Sequence, residues 1–529
     1  MKGHPGGLVA AAFLALVSSG ALFGLILPAL RAPDNLVGQI DGYLLRVATF
    51  TLWQATLSTL LSVIPAIFIA RAIFRLGDFP GRRIVLALHA LPLALPAIAV
   101  VLALIALLGR SGVAGWWVNQ WGLGAWNGIF GLEGILIAHV FFNMPLAVRL
   151  FLEALQSIPE QNWRIGAQLG LRAGSLFRIV EWPRLRTALP GIAGLVFLLC
   201  ATSFTIVLTL GGGPRATTLE VAIYQSLRFD FDPARAAALT LVQLLLAGLV
   251  VFLLARIASP ATEGRDSLSR AVWTPRLGFS GLVLAMMLVA CSTLYVTAPV
   301  AAIAWRGLQA DLLKLLGEKA FHGALATSLV VGLLSASISV LLGFLLLRAN
   351  LANAGSGARA GLSGLLASGA SNAVLALSPI VLGAGWFVLL AGTGQMRVAA
   401  PVVLVGVNAM MALPFVLRTL RPAHDRYFSQ HERLARSLAI GGWNRFRLLD
   451  LPVLIRAIMG AFAFAMALSL GDLGAIALFG SSDLQTLPWL LYARMGSYRT
   501  HDAAGLALIL SVLVLMLMWA GTKGVEHER

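Results

Sequence analysis

SLFRIVEWPRLR, Ser175 to Arg186, returns 269 positions later as NRFRLLDLPVLI, Asn444 to Ile455. The shared offset aligns Phe177 with Phe446, Arg178 with Arg447 and Pro183 with Pro452, and it holds without a gap over a much longer stretch. Pro145/Pro414, Arg149/Arg418, Arg164/Arg433, Leu169/Leu438, Gly191/Gly460, Gly211/Gly480 and Thr217/Thr486 all coincide. Upstream, an offset of 277 pairs Ser58/Ser335, Ser62/Ser339 and Arg71/Arg348. The chain reads as two fused copies of one unit in the same orientation.

The unit is a membrane unit. Of 529 residues, 59% are hydrophobic and 12% charged, with a mean hydropathy of +0.88, which excludes an ordinary soluble domain. A helix needs about 20 mostly apolar residues to cross a roughly 30 Å hydrocarbon layer with its backbone self-satisfied. Such runs fall near 8–30, 47–70, 84–108, 132–152, 188–210, 236–257, 279–303, 322–347, 372–391, 398–420, 456–478 and 503–521. The expected fold is an all-α polytopic membrane protein of about 12 transmembrane helices in two homologous six-helix halves. Residues 1–260 form the first half, 261–277 a cytoplasmic linker and 278–529 the second. Parallel repeats place a pseudo-twofold axis along the membrane normal and the solute pathway between the halves. Lys2 ahead of the first run imitates a signal peptide. Leu8 to Leu30 is too long for a signal core, however, and no clear A-x-A site follows, so it is read as a helix.

A formal charge of +17 in a soluble chain would point to nucleic acid, but its distribution here points to topology. With the N-terminus inside, 27 of the 39 Lys and Arg lie in cytoplasmic segments or at their edges. The acids split almost evenly, apart from Asp472 within the membrane. That is the positive-inside pattern, so both termini are expected in the cytoplasm and no nucleic-acid partner is implied. Cys200 and Cys291 both fall in spans and read as packing residues.

Between the fourth and fifth spans of each half lies a polar cytoplasmic loop, about 153–186 and 421–455, longer than a turn needs. Each reads as two short helices. In the first, Ser157-Ile-Pro-Glu160 has capping-box spacing, Pro159 suits a first helical turn and Gly170 a helix stop. The second helix is expected to start at Ser175, present Leu176, Phe177, Ile179 and Val180 on an apolar face, and end before Pro183. The other copy offers Ser429-Gln-His-Glu432, Gly441-Gly442, then Asn444 as cap with Phe446, Leu448 and Leu449 ahead of Pro452. One such loop alone would read as an amphipathic segment on anionic lipid. Two in the same register favour a symmetric protein partner, because lipid attraction requires no shared register.

The segment AQLGLRAGSLFRIVEWP, Ala167 to Pro183, resembles the cytoplasmic EAA-type coupling loop of binding-protein-dependent ABC importer permeases of the type I, MetI-like fold. HVFFNMPLAVRL, LTLGGGPRATTLEVAIYQSLRFDFDPARAA and LSLGDLGAIALFG with TLPWLLYARMGSYRTHDAA are similar to the fused permease subunit of bacterial thiamine importers. The likeness runs through nearly the whole chain. It departs from the loop motif where the leading Glu falls on Arg164 and Arg433, and where its Gly falls on Ala439. The resemblance implies a multi-pass inner-membrane subunit that is not itself an enzyme and binds no cofactor. Two copies of a separate cytoplasmic ATPase would use ATP, and a periplasmic binding protein would deliver thiamine or its phosphate esters. ATPase coupling would then involve Gly170, Ser175, Phe177, Arg178 and Pro183 with Ala439, Asn444, Phe446, Arg447 and Pro452. One point follows from the residues themselves. A Walker A loop needs G-K-[ST], and none of the four lysines, Lys2, Lys314, Lys319 and Lys523, follows a glycine.

Fused ferric-iron permeases share this architecture and stand as the alternative substrate class. A major-facilitator transporter also has twelve spans in two halves, and RLGDFPGRR after the second span imitates its loop signature. Phe74 occupies the position of that signature's leading glycine, the second half has no Asp in the matching loop, and the paired fourth-to-fifth loops stay unexplained. A membrane enzyme would cluster acids and histidines at one depth, whereas only His139 and Asp472 look intramembrane, in different halves. No catalytic or metal-ligating set is expected.

For the pathway, Asp472 is the one acid clearly within a span. Sixteen residues beyond Arg456 at about 1.5 Å each raise it roughly 24 Å. A carboxylate there needs a partner, water or a pore. It suits either the cationic thiazolium of thiamine or a structural arginine or amide. Ser203 occupies the register position of Asp472, flanked by Thr202 and Thr205, whose hydroxyls serve equally well as bonds to the preceding turn. His139, Asn143, Asn408 and the span prolines read as hinges or interhelical hydrogen bonds. Residues 210–235 and 481–502 are either receptor-docking surfaces or aromatic belts.

Overall fold

The computed structural model describes residues 5–31, 41–122, 126–257, 277–354, 377–391, 393–437 and 446–523. Among the described residues there are helices and turns and no strand. The first half runs α1 (Pro5–Arg31), α2 (Gly42–Leu76), α3 (Ala97–Leu108), α4 (Leu132–Gln156), α5 (Glu160–Gln168), α6 (Trp182–Ala201), α7 (Leu219–Arg228) and α8 (Pro233–Ile257). The second runs α9 (Phe279–Leu308), α10 (Lys319–Ala354), α11 (Pro379–Ala391), α12 (Met396–Ser437), α13 (Leu451–Gly471), α14 (Leu487–Gly496) and α15 (Thr500–Lys523). Among the described residues, eleven helices are long and apolar enough to cross a membrane, and the 13-residue α11 is a shorter apolar one. The protein is a polytopic all-α membrane protein.

Three runs expected as continuous helices are interrupted. The run at 84–108 becomes Arg82–Leu88, a turn at Leu91–Leu93 and then α3, because Pro92 and Pro96 lack the N–H that would continue the ladder and crowd the preceding turn. The fifth spans, expected at 188–210 and 456–478, break at 202–204 and 472–473. They resume as Thr205–Leu210 and Gly474–Phe479. Average apolarity registers neither kind of break.

The repeat is visible in the backbone. Thr205 and Gly474, which restart the fifth spans, are 269 apart, as are the π turns Phe177–Glu181 and Phe446–Asp450 that lead into α6 and α13. At the opposite end, the first free N–H of α7 (Leu219) donates to Thr51 Oγ1 at 3.0 Å, and that of α14 (Leu487) donates to Ser328 Oγ at 2.8 Å. Thr51 and Ser328 stand 277 apart on α2 and α10. A hydroxyl from the second span thus satisfies an otherwise orphaned helix-end donor in each half.

Within each half the second span packs on the fourth and fifth, α2 on α4 and α6, α10 on α12 and α13. The first spans cross over: α1 packs against α11 and α10 of the second half, and α9 against α3 and α2 of the first. Close approach at the α1 crossing depends on glycine. A Cβ on Gly20 would meet Trp386 Cζ2 at 2.3 Å, and one on Gly24 would meet the Gly385 carbonyl oxygen at 2.0 Å. The Trp386 indole N–H donates to the Val17 carbonyl at 3.0 Å. Small residues at such contacts let backbones approach and gain the dispersion that holds helices together in lipid. One apolar core therefore runs through both halves.

Candidate functional site

The matched loops sit at the arginine-rich end of the bundle. In the first, the Ser157 hydroxyl donates to the Ala154 carbonyl at 2.7 Å and accepts from Arg184 Nε at 2.8 Å. The expected capping box with Glu160 does not form, and α5 starts directly after Pro159. Trp163 is fully buried, its ring 5.3 Å from Phe74 on α2, and anchors α5 to the bundle. Gly170 turns the chain with φ +62°, a conformation strained for any residue bearing a Cβ, so it stops the helix as expected.

The next helix begins at Ala173 rather than Ser175 and runs through Pro183 into α6 instead of ending before it. The π turn explains this: Trp182 N–H bonds to the Phe177 carbonyl five residues back, and Pro183 falls in the first turn of α6, where its missing N–H costs little. Ser175 is exposed and caps nothing. Leu176 is buried, Phe177 and Val180 half-buried, but Ile179, expected on the apolar face, is 60% exposed. With Leu169 at 70% exposure and the exposed Arg172 and Arg178, it makes a mixed apolar and cationic surface. Arg164, standing where the coupling motif has Glu, bonds to Glu160 at 2.7 Å.

The second loop is built differently. Helix α12 continues unbroken to Ser437, so Ser429-Gln-His-Glu432 starts no helix. The repeat puts Phe428 where the first half has Pro159, and neither Gly nor Pro occurs between Pro422 and Ser437 to interrupt the ladder. Ala439, Gly441, Gly442 and Asn444 lie outside the described residues. Phe446 opens the π turn, Arg447 and Leu448 are exposed and Pro452 lies in the first turn of α13.

Both π turns end on a wholly buried acid that sequence reasoning missed. Glu181 pairs with Arg71 and lies 3.8 Å from Arg75. Arg71 also donates to the Ala173 carbonyl at 3.3 Å and lies over the Phe177 ring, 5.0 Å from its centroid. In the second half Asp450 pairs with Arg348 at 3.5 Å and accepts from the Tyr427 hydroxyl at 2.8 Å. The arginines are a 277 pair and the acids a 269 pair, so the second span grips the end of each loop in the same way. The signal was present in the opening stretch, as EWP in one copy and DLP in the other.

Near the other end of the fifth spans, Thr202 and Ser203 lie in the first break, Thr205 restarts the helix and Asp472 lies in the second break; all four are partly exposed. Thr202 Oγ1 donates to the Leu198 carbonyl at 2.8 Å, the bond to the preceding turn. The Asp472 carboxylate accepts from the N–H of Gly474 and Ala475 at 3.2 and 3.3 Å, so its immediate partners are backbone amides. No hydrogen bond joins any of these four side chains to another. The Asp472 turn does sit between the halves, since a Cβ on Gly471 would lie 3.3 Å from Pro96 and one on Gly474 3.0 Å from Pro379.

Further contacts cross the interface. Glu220 on α7, buried, accepts from Gln243 at 3.1 Å and from Ser378 of the second half at 2.9 Å. Arg228 donates to the Gly480 carbonyl at 3.0 Å, and Arg418 pairs with Glu153 at 3.9 Å at the arginine-rich end. His139 lies 2.9 Å from Ser58 Oγ, and Asn408 donates to Ser469 at 2.8 Å, both interhelical. Among the outer aromatics Tyr224 is buried, while Phe229 and Tyr498 are exposed.

No family profile matches the sequence. The chain is 51% identical over 526 residues to the thiamine transport system permease protein ThiP of Brucella abortus, covering 99% of this chain and 95% of that protein. It is 40% identical over 477 residues to ThiP of Escherichia coli K12, covering 90% and 88%. With ThiP of Haemophilus influenzae it shares 36% over 519 residues, covering 96% and 94%. The repeated halves, the paired loops and this near-complete coverage agree, and the chain belongs to the family of thiamine transport system permease proteins.

Proposed function

We propose that this chain is the membrane subunit of an ATP-driven importer carrying thiamine and its phosphate esters across the bacterial inner membrane, with both termini in the cytoplasm. The observation that carries the reading is near full-length similarity to permeases named for thiamine transport. The facilitator and ferric-iron readings have no comparable support.

In this reading the working halves are residues 1–260 and 278–529. Two copies of a cytoplasmic ATPase dock on the two loops, and a periplasmic binding protein presents the solute at the other face. The chain itself binds no cofactor; ATP belongs to its partner. The exposed Leu169, Arg172, Arg178 and Ile179, with Arg447 and Leu448, form the docking surface. Because each loop runs through a π turn into its fifth span without an intervening flexible segment, a push on the loop moves α6 or α13 as a rod. The buried Arg71–Glu181 and Arg348–Asp450 pairs carry the second spans along, so each half rocks as a body about the pseudo-twofold axis. The fifth spans break where Asp472 and Ser203 stand, which turns a tilt of the rod into movement of these residues at the pathway. Asp472 spends two acceptor sites on its amide bonds and keeps others for a cationic ring.

The test is uptake of labelled thiamine by transport-deficient cells expressing this chain with its receptor and ATPase, comparing intact ATPase with one lacking its Walker lysine. Uptake only with the intact ATPase is expected. Uptake with both would restore a facilitator, and uptake with neither, in an assembled complex, would move the substrate to ferric iron.

A further inference from the structure

The two crossings that interlock the halves are related by the repeat but are not filled alike. At one, α1 meets α11 and the indole of Trp386 occupies the contact, hydrogen-bonded to Val17 and pressed on Gly20. At the other, α9 meets α3. An offset of 283 aligns Pro96 with Pro379 and Gly109 with Gly392, and it puts Ala103 where the second half has Trp386. In place of the missing indole there is a cavity of about 160 Å³ between α3, α9 and α15, lined by residues that include Ala103, Ala106, Ala302 and Ala507. A single water needs only about 10–15 Å³, so the cavity is roomy, and its lining is mainly apolar.

The cavity also has polar lining. Arg306, in the last turn of α9, and His501, at the start of α15, line it. The Arg306 guanidinium makes no ion pair among the described residues. Beside it Trp305 is 69% exposed, the placement of an indole at the level of lipid headgroups. A cation at headgroup depth above an apolar void complements an amphiphile with an anionic head and a hydrocarbon tail.

We infer that this crossing is a phospholipid site, one acyl chain entering the cavity below Ala103 with the phosphate held at Arg306. The lipid supplies the packing that Trp386 supplies at the related crossing, and it bridges the first half through α3 to the second through α9 and α15. The inference rests on the spanning fold and holds whatever solute is transported.

The test uses the full chain purified from nanodiscs of phosphatidylethanolamine and phosphatidylglycerol and examined by native mass spectrometry. The wild type should retain one phospholipid through detergent washing that strips the rest. Ala103→Trp, which writes the other half's residue into the cavity, should retain none while keeping its melting temperature. Arg306→Gln, at the surface, should retain about tenfold less, the loss of a charge-assisted contact. Equal retention in all three proteins would overturn the inference, and so would a retained molecule without phosphate.

Discussion

Replacing Glu181 with alanine tests whether the second span holds the loop between the fourth and fifth spans. Glu181 is fully buried, Arg75 has 3% of its side chain exposed and Arg71 26%, so the cluster is largely out of water. Removing one member of a buried ion pair costs about 3–5 kcal/mol, because the partner keeps its desolvation penalty without its attraction. The partial exposure of Arg71 places this case at the low end, about 3 kcal/mol, which weakens docking of the loop on α2 roughly a hundredfold at 1.4 kcal/mol per tenfold. The loss is local, since Trp163 still anchors α5 on Phe74. Amide hydrogen exchange on the purified chain should therefore show residues 173–181 losing about a hundredfold in protection while amides of α13 are unchanged. Asp450→Ala should do the same to 446–450 and spare the first half. In the assembled transporter each variant should hydrolyse ATP with little uptake. Unchanged protection in both variants would refute the reasoning, because the pairs would then be bystanders to a loop held by packing alone.

Phe177→Asp puts a charge beneath the Arg71 guanidinium inside the packed turn, and Gly170→Pro demands a negative φ where the chain has +62°. Together with Phe446→Asp, these changes should abolish ATPase docking or uncouple hydrolysis from uptake in a co-purification and transport assay; normal coupling in all three would remove the loops from the mechanism. Asp472→Asn removes the charge and keeps one acceptor oxygen, enough for one of the two amide bonds from Gly474 and Ala475. Uptake should fall severalfold with assembly intact, whereas Asp472→Ala should also cost about 1 kcal/mol of helix capping. Unchanged uptake in Asp472→Asn would leave the residue a cap only. Burial on α7, which is not a spanning helix, pushes the Glu220 carboxyl from its ordinary 4.5 up to about 8, and its partners Gln243 and Ser378 carry no charge. The folded chain then holds a proton that the unfolded chain releases above about 4.5, so stability from this group is full below 4.5 and is lost as pH rises towards 8. Melting of the purified chain should decline over that window and be flatter in Glu220→Gln; identical profiles would mean that Glu220 is ionised in the fold.

Much of the architecture was legible in the chain. Apolar length places the spans because a backbone in lipid has no other partner than itself. The offsets of 269 and 277 carry over to backbone features no composition rule describes: the two π turns, the two restarted fifth helices and the hydroxyls of Thr51 and Ser328 on the helix ends. The difference between the loops was readable too, in Pro159 against Phe428. Even the buried acids were on view in EWP and DLP, though their role depends on arginines more than a hundred residues away in sequence.

What the sequence by itself determined is therefore what depends on near neighbours: spans, the glycine turn at Gly170 and the repeat. Where helices break needed more, since averaged apolarity is blind to Pro92 and Pro96 and to the turn at Asp472. Tertiary structure alone decided that α1 crosses to α11 and α9 to α3, that Trp386 fills one crossing and leaves its counterpart hollow at Ala103, and that the Asp472 turn lies between Pro96 and Pro379. In lipid no hydrophobic force selects which helix meets which. The choice falls to close fits such as Gly20 on Trp386 and to polar pairs such as Arg71 with Glu181, and these exist only once distant segments have met.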